Sequence, residues 1–232
     1  LKVTDIVMGF APYGILALMS ELVHTLDVST LAEVIKFVIS DYAAMIVILV
    51  LVYPLQFKLL SKIPVIPFYK AASPAVLIAA STTSSAATLP VSLKIADESL
   101  HIPEKIYGFG LTVGATINSN GMAASIGLIA VFACNLYGLE LTIPLMVQFI
   151  VVGLLLSMGT AGVKGAGVVL STVLLESMNL PLSLVPVLAA IWPVLDIGHT
   201  TANVVGDLVG ISIIADRAGE MDTEQFKRDF SK

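Results

Sequence analysis

The chain alternates long apolar runs with short polar breaks. Residues 3–23, VTDIVMGFAPYGILALMSELV, are long enough to cross about 30 Å of hydrocarbon as one helix. The stretch HTLDVSTLAE then reads as a loop leading to a second span, roughly 34–59, rich in Val, Ile and Leu. Asp41, near the start of that span, is expected at the interface. Lys58, Lys62 and Lys70 follow, with Pro64 and Pro67 breaking the helix.

Beyond this point the pattern changes. YKAASPAVLIAASTTSSAATLPVSLKIADE has two short apolar arms around a polar tip, Ser81 to Thr88. Neither arm reaches 18 residues, so a re-entrant hairpin is expected at 71–101, its tip covered by protein or lining a cavity. The pattern recurs at 142–178, where LTIPLMVQFIVVGLLL runs into the Gly-rich tip SMGTAGVKGAG and returns through VVLSTVLLESM. Two hairpins at comparable places in two halves suggest an inverted repeat, which in secondary transporters points to the binding site. Ordinary kinked spans are the competing reading.

Between the hairpins, residues 106–135 predict a span interrupted by GATINSNGMAAS. Gly114, Thr116, Asn118, Asn120 and Gly121 are poor helix material at mid-membrane. Unwound backbone there frees carbonyl oxygens, the ligands a hard cation such as sodium wants; a glycine kink between packed helices is the alternative. A last helix is expected over 183–216, followed by a tail, 217–232.

Composition turns this pattern into a class. The 232 residues are 57% hydrophobic and 12% charged, with a mean hydropathy of +0.96. Soluble domains average about 25% charged, so an all-α polytopic membrane protein is predicted. The formal charge of -5 says little. No basic patch is interleaved with aromatics, which excludes nucleic acid as a partner. Cys134 is a single cysteine in an apolar run and reads as a buried small hydrophobe. The opening LKVTDIVMGF has neither a Met nor a charged segment leading to a cleavage site, so no signal peptide is read and a longer polypeptide is expected.

Lys and Arg give an orientation. Lys58, Lys62, Lys70, Lys94, Lys105 and the tail's Arg217, Lys227, Arg228 and Lys232 fall on one side if the two hairpins enter from opposite faces. The loops around 24–33, 136–141 and 176–183 have none. The first hairpin's mouth and the C-terminus are therefore expected in the cytoplasm, in a cell inner or plasma membrane.

The segment WPVLDIGHTTANVVGDL, 192–208, carries the candidate chemistry. A charge in the bilayer costs roughly 2.5 kcal/mol or more, yet Asp196, His199, Asn203 and Asp207 lie within about three helical turns. At about 100° per residue they fall, with Thr200, in one arc of about 100°, while Thr201, Val204, Val205 and Leu208 fall outside it. Asp196 and Asp207 are about 16 Å apart along the axis, so they belong to two subsites. A solute cation on one and a metal cation on the other is the natural division. An intramembrane aspartyl protease would need its acids to meet at one bond, so no enzyme is expected. A channel is the harder alternative, since polar rings also line pores.

Four segments carry a resemblance. SSAATLP (84–90), GATINSNG (114–121), GTAGVKGAG (159–167) and LDIGHTTANVVGDL (195–208) resemble, in order and spacing, the signatures of the dicarboxylate/amino acid:cation symporters, the glutamate-transporter family. The resemblance implies an inverted-repeat elevator transporter working as a homotrimer in contact with membrane lipid. Residues 1–30 would be a scaffold helix of the trimerisation domain and 31–216 most of the moving transport domain. One Na+ would lie among Gly114, Asn118, Asn203 and Asp207, and a second at Thr116, Ser157, Met158 and Thr160. Ser84, Ser85, Thr200 and Asn203 would hold an α-carboxylate. Val163, with Gly167 in the same tip, would close the lid, and Asp196 would take the α-ammonium.

The departures from the family pattern shape the substrate. Its usual NMDGT is NSNGM here: Asn120 replaces an acid that serves a further sodium, and Met122 replaces a hydroxyl that serves a side-chain carboxylate. His199 stands where carriers of acidic amino acids have Arg, whose permanent fork suits carboxylates as an imidazole does not. Lys164 replaces a Pro, and Trp192 a residue that is often acidic. The expectation is a secondary symporter for a neutral or polar amino acid, driven by sodium with protons as a further option. The alternatives are a dicarboxylate or acidic amino acid carrier using protonated His199, and a substrate-gated anion channel.

Overall fold

A computed structural model describes residues 28–159 and 165–230, together with Phe10, Tyr13, Gly14, Leu16, Ala17 and Ser20. The first expected span, 3–23, falls largely outside the described residues. All regular structure among those described is helical.

Helix α1 (Val28–Val47) runs through a π-helical turn, Ile48–Val52, into α2 (Tyr53–Leu60). The wider turn has a local cause: Pro54 has no N–H to donate, and the N–H of Tyr53 reaches back to the carbonyl of Ile48. Pro64, in extended conformation, starts α3 (Val65–Thr82). Thr83, in the left-handed region at φ 49°, ends it, and Ser84 caps α4 (Ser85–Lys94) by accepting the N–H of Ala87. These two helices pack on each other as a hairpin, closed by a π-helical turn at Ile95–Ser99.

Helix α5 (Glu104–Ile117) breaks at Asn118 and Ser119 and continues as α6 (Asn120–Tyr137). Helices α7 (Ile143–Met158) and α8 (Ala166–Ser177) also pack together, and Gly165, at φ 76°, leads into the second. A short 3-10 turn, Leu182–Leu184, precedes α9 (Val185–Arg217), the 33-residue axis against which α1 to α6 and α8 pack. The chain ends in α10 (Thr223–Phe230).

Four of these stretches are long and apolar enough to cross a membrane: Leu31–Leu60, Val65–Thr82, Glu104–Tyr137 and Leu182–Arg217. Two expectations need correction. The first arm of the first hairpin has 18 residues, the length reserved above for a full span, because Pro67 in its first turn and Pro74 near its middle do not stop it. The interruption of the middle helix is also narrower than GATINSNGMAAS: Gly114 and Thr116 keep helical backbone, and only Asn118 and Ser119 leave it.

Two apolar cores flank the middle of α9. One gathers Tyr53, Phe57, Phe68, Ala75, Leu111 and the α9 residues from Val204 onward. The other gathers Phe37, Ile126, Phe149, Leu174 and the α9 residues up to Leu195. Residues 196–203 belong to neither, so the polar stripe lies where two cores meet. The first hairpin packs into one core and the second into the other. Arg217 Nε donates to the carbonyl of Leu60, Lys105 pairs with Glu220 and His101 with Asp229. The ends of α2 and α9, the start of α5 and the tail therefore meet at one end of the molecule.

Candidate functional site

The stripe is buried on all sides, but its members reach different neighbours. Asp196 is 7% exposed, His199 0%, Thr200 4%, Asn203 8% and Asp207 8%. The residues expected outside the arc are buried too: Thr201, Val204, Val205 and Leu208 pack as closely. Helix α9 is thus a central element rather than one with a single inward face. What distinguishes the stripe is its polar partners.

At the lower end, Asn118 donates from Nδ2 to Oδ1 of Asp207 at 2.8 Å and to the carbonyl of Asn203 at 3.1 Å. Asn203 in turn accepts at Oδ1 the N–H of Gly121, at 2.8 Å. The two-residue break in the middle helix makes this possible, because it turns the Asn118 side chain and the Gly121 N–H toward α9. Gly114 is pressed against the carboxylate: a Cβ there would lie 2.4 Å from Asp207 Oδ1. The structure thus brings together Gly114, Asn118, Asn203 and Asp207, four residues expected around one cation. Asn120 points to Tyr53, donating to its hydroxyl at 3.1 Å, and that hydroxyl donates to the carbonyl of Ala202 at 2.8 Å.

A cleft of about 440 Å³ joins this region to the second hairpin, lined by Gly114, Asn118, Asn120, Ser157 and Met158 among others. Residues expected around two cations therefore share one cavity. Thr116 lies on the exposed side of α5, with its hydroxyl on the carbonyl of Thr112 at 3.4 Å. Thr160 lies outside the described residues.

At the upper end, Asp196 accepts the N–H of Gly165 at a long 3.4 Å, which brings the second hairpin's tip to the stripe. Val163 and Lys164 lie outside the described residues. Gly167 is covered by Trp192: a Cβ would fall 1.7 Å from Cζ2 of the indole, so the missing side chain is the space the ring occupies. Ser84 caps its helix, Ser85 is buried, and Met122 belongs to the second apolar core.

One expectation is reversed. Asp41 does not lie at an interface; its side chain is 1% exposed, and its Oδ2 sits 2.8 Å from Nε2 of His199. The imidazole points across to α1, away from the hairpin tip that Asp196 meets. The reason is steric and polar together: the indole of Trp192 lies 5.4 Å from the imidazole ring centre, and the backbone of His199 is packed on Gly121. Asp41 and Tyr53 are the partners that sequence reasoning missed. An acid inside an apolar span is itself a signal of an intramembrane partner, and for Asp41 the signal was there.

The donors fit a hard cation. Asp207 offers a carboxylate, Asn203 a carbonyl that accepts a side-chain amide, and Gly114 a backbone without a side chain in the way. Such an oxygen-rich set suits sodium better than a soft metal.

A family model described as the sodium:dicarboxylate symporter family matches residues 1–217. The chain is 30% identical over 237 residues to the L-cystine uptake protein TcyP of Bacillus thuringiensis (strain Al Hakam), covering 100% of this chain and 50% of that protein. It is 29% identical to TcyP of Bacillus licheniformis, covering 98% and 49%. With excitatory amino acid transporter 3 of Mus musculus it shares 30% identity, covering 97% and 43%. The chain spans about half the length of the curated relatives it matches. With four apolar helices of membrane-spanning length among its described residues, this chain is an integral membrane protein of a transporter family rather than an enzyme, and it belongs to the sodium:dicarboxylate symporter family.

Proposed function

We propose that this chain is the transport-domain-bearing part of a secondary active symporter that moves a neutral or polar amino acid together with sodium. The observation that carries the substrate class is the engagement of His199 by Asp41. The one basic side chain of the stripe is tied to a carboxylate, so it offers no free cation to an acidic side chain. Asp196, beside the Gly165 end of the second hairpin's tip, takes the α-ammonium. The relatives named for L-cystine uptake agree with a solute that carries no net side-chain charge.

Sodium would be held by the Asp207 carboxylate with backbone oxygens of Gly114, Asn118 and Asn203, and a second ion by Thr116, Ser157, Met158 and Thr160. The ion supplies the electrochemical drive and a positive charge beside a carboxylate that is otherwise buried. The reading extends to the whole assembly. Two re-entrant hairpins close over the solute, the unit moves as an elevator against a scaffold that includes residues 1–30, and three copies associate in the plasma or inner membrane with the C-terminus in the cytoplasm.

The test uses the complete polypeptide in proteoliposomes with radiolabelled L-cystine, L-serine, L-glutamine, L-glutamate and succinate. Sodium-gradient-driven accumulation of a neutral member is the expected result. Accumulation confined to L-glutamate or succinate would favour the acidic-solute carrier and overturn the neutral reading. Solute-evoked anion current without accumulation would make it a channel.

A further inference from the structure

Where α2 gives way to α3 the surface carries a groove of about 520 Å³. Val50, Leu51 and Leu55 form an apolar wall, and Lys58 and Lys62 line the same groove. Val50 and Lys58 are eight residues apart, about 12 Å along a helix, so the groove is apolar at one end and basic at the other. Its floor is fixed. Phe57, 0% exposed, meets Phe68 of α3 edge-on, with ring centres 4.6 Å apart. Pro54 has no N–H for the carbonyl of Leu49, five residues earlier in the π-helical turn, and the hydroxyl of Tyr69 on α3 donates to that carbonyl instead. The wall stays open to the outside: Val50 is 70% exposed, Leu51 60% and Leu55 48%.

The basic end has little counter-charge. From Tyr42 to Leu93 the chain carries three lysines, Lys58, Lys62 and Lys70, and no acid. All three are exposed, and none forms an ion pair among the described residues. The acid that reaches this corner is Asp216, in an adjoining hollow of about 350 Å³ that shares Ser61 and Lys62 and is lined by Arg217 as well. Both of its oxygens are taken up by neutral donors: Oδ2 accepts the backbone N–H of Lys62 at 2.9 Å and Oδ1 the hydroxyl of Thr223 at 3.2 Å. Lys58, Lys62 and Arg217 against this one carboxylate leave the corner positive. The apolar wall lies within the membrane-length stretch Leu31–Leu60, and the two lysines stand at and just beyond its end, the level at which lipid headgroups meet water.

From this we infer that the groove binds an anionic phospholipid, with an acyl chain against Val50, Leu51 and Leu55 and the phosphate between Lys58 and Lys62. The inference needs only that the chain is an integral membrane protein; it is independent of the solute and ion proposed above. Charge and shape select this occupant. A free phosphate makes no use of an exposed aliphatic wall. A zwitterionic phospholipid brings its own cation to its phosphate and makes little use of unpaired lysines. An anionic phospholipid uses both, and basic pockets beside transmembrane helices hold such headgroups. The lysine stems lie along the apolar wall while their ammonium groups stay at the water's edge. Because the groove is built from α2 and the start of α3, a lipid seated there bridges a spanning helix and the base of the first hairpin.

The test titrates phosphatidylglycerol and phosphatidylcholine of the same acyl chains into the full polypeptide in a neutral detergent, with bound lipid counted by native mass spectrometry. Saturable binding of phosphatidylglycerol, at least about tenfold tighter than phosphatidylcholine, is the expected result. Lys58→Gln combined with Lys62→Gln is expected to weaken phosphatidylglycerol about 25-fold, about fivefold for each basic side chain removed. Lys94→Gln removes an exposed lysine outside the groove and should weaken it less than about twofold. Leu51→Trp narrows the apolar end with both lysines in place and should lower the affinity as well. Equal binding of the two lipids overturns the inference, and so does phosphatidylglycerol binding that the double lysine variant leaves unchanged. Binding that Leu51→Trp leaves intact and inorganic phosphate displaces overturns it in favour of a bare anion patch. Absence of saturable binding by either lipid overturns it too, and gives the groove to another part of the polypeptide.

Discussion

The backbone of Gly114 lies against the carboxylate of Asp207 so closely that a Cβ would sit 2.4 Å from Oδ1 and 2.9 Å from Cγ. Neither atom belongs to a flexible end that can swing away, since Oδ1 is also held by Asn118 at 2.8 Å. Gly114→Ala is therefore expected to displace the carboxylate from its place between α5 and α9. With Asp207 as a sodium ligand, the sodium concentration for half-maximal uptake should rise on the order of tenfold, with maximal uptake at saturating sodium less affected. Titrating uptake against sodium in the variant checks this. An unaltered sodium dependence would remove Asp207 from the ion site.

A second close approach gives a test that is independent of transport. A Cβ on Gly206 would lie 2.4 Å from the Tyr53 hydroxyl, which also accepts from Asn120 and donates to Ala202. Gly206→Ala is expected to destabilise by about 1–3 kcal/mol through overpacking. Tyr53→Phe loses about 1 kcal/mol of hydrogen bonding but removes the atom that clashes. The double variant should be more stable than the sum of the two, with a coupling of at least about 0.5 kcal/mol. Thermal unfolding of the purified protein in detergent reads all three. Strict additivity would mean that Tyr53 is not what forbids a side chain at 206.

How much of this was readable beforehand depended on what each residue's partner was. Hydropathy runs located the spans, because a helix in hydrocarbon must be apolar over its length. The stripe on α9 was visible because carboxylates in such a run are costly enough to need a reason. What escaped was pairing across helices. Asp41 looked interfacial because an acid seven residues into a span is indistinguishable, in one dimension, from one at its rim. Its burial depends on α9 lying alongside to present His199. At Gly167, nothing in the sequence signals that the indole of Trp192 occupies the space a side chain would take. The length of the first hairpin's opening helix was misjudged for a local reason: Pro64 and Pro67 suggest breaks, yet Pro67 is accommodated within Val65–Thr82 and only Pro64 stands outside it.

The tail offers a prediction away from the membrane interior. Phe226 is fully buried on α10, and Asp229 meets His101 at 2.7 Å. The aromatic ring holds the tail far more firmly than the exposed ion pairs do, because surface pairs contribute about 0–1 kcal/mol each. Phe226→Ala should cost about 3 kcal/mol of tail docking. Limited trypsin digestion should then cut at Lys227 and Arg228 much faster than in the parent protein, while Asp229→Asn changes the rate little. Equal protection of the parent and Phe226→Ala would show that the tail is held by something other than this ring.

The last prediction concerns Asp196, whose carboxylate faces the start of α8 through a 3.4 Å contact with the N–H of Gly165. That contact is long for a hydrogen bond, so it can give way to a solute group. In the proposed reading that group is the α-ammonium, the cation every amino acid brings. Asp196→Asn keeps the shape and the ability to accept from Gly165 but removes the charge, so it separates the two roles. Losing the partner of a buried charge costs several kcal/mol, which corresponds to at least about a hundredfold rise in the solute concentration for half-maximal uptake. N-acetylated solutes, which lack the ammonium, should be carried poorly by the parent protein and should lose nothing further in Asp196→Asn. Uptake of free amino acids at the parent's affinity in this variant would assign the ammonium to another acid of the chain and leave Asp196 as a tether for the second hairpin.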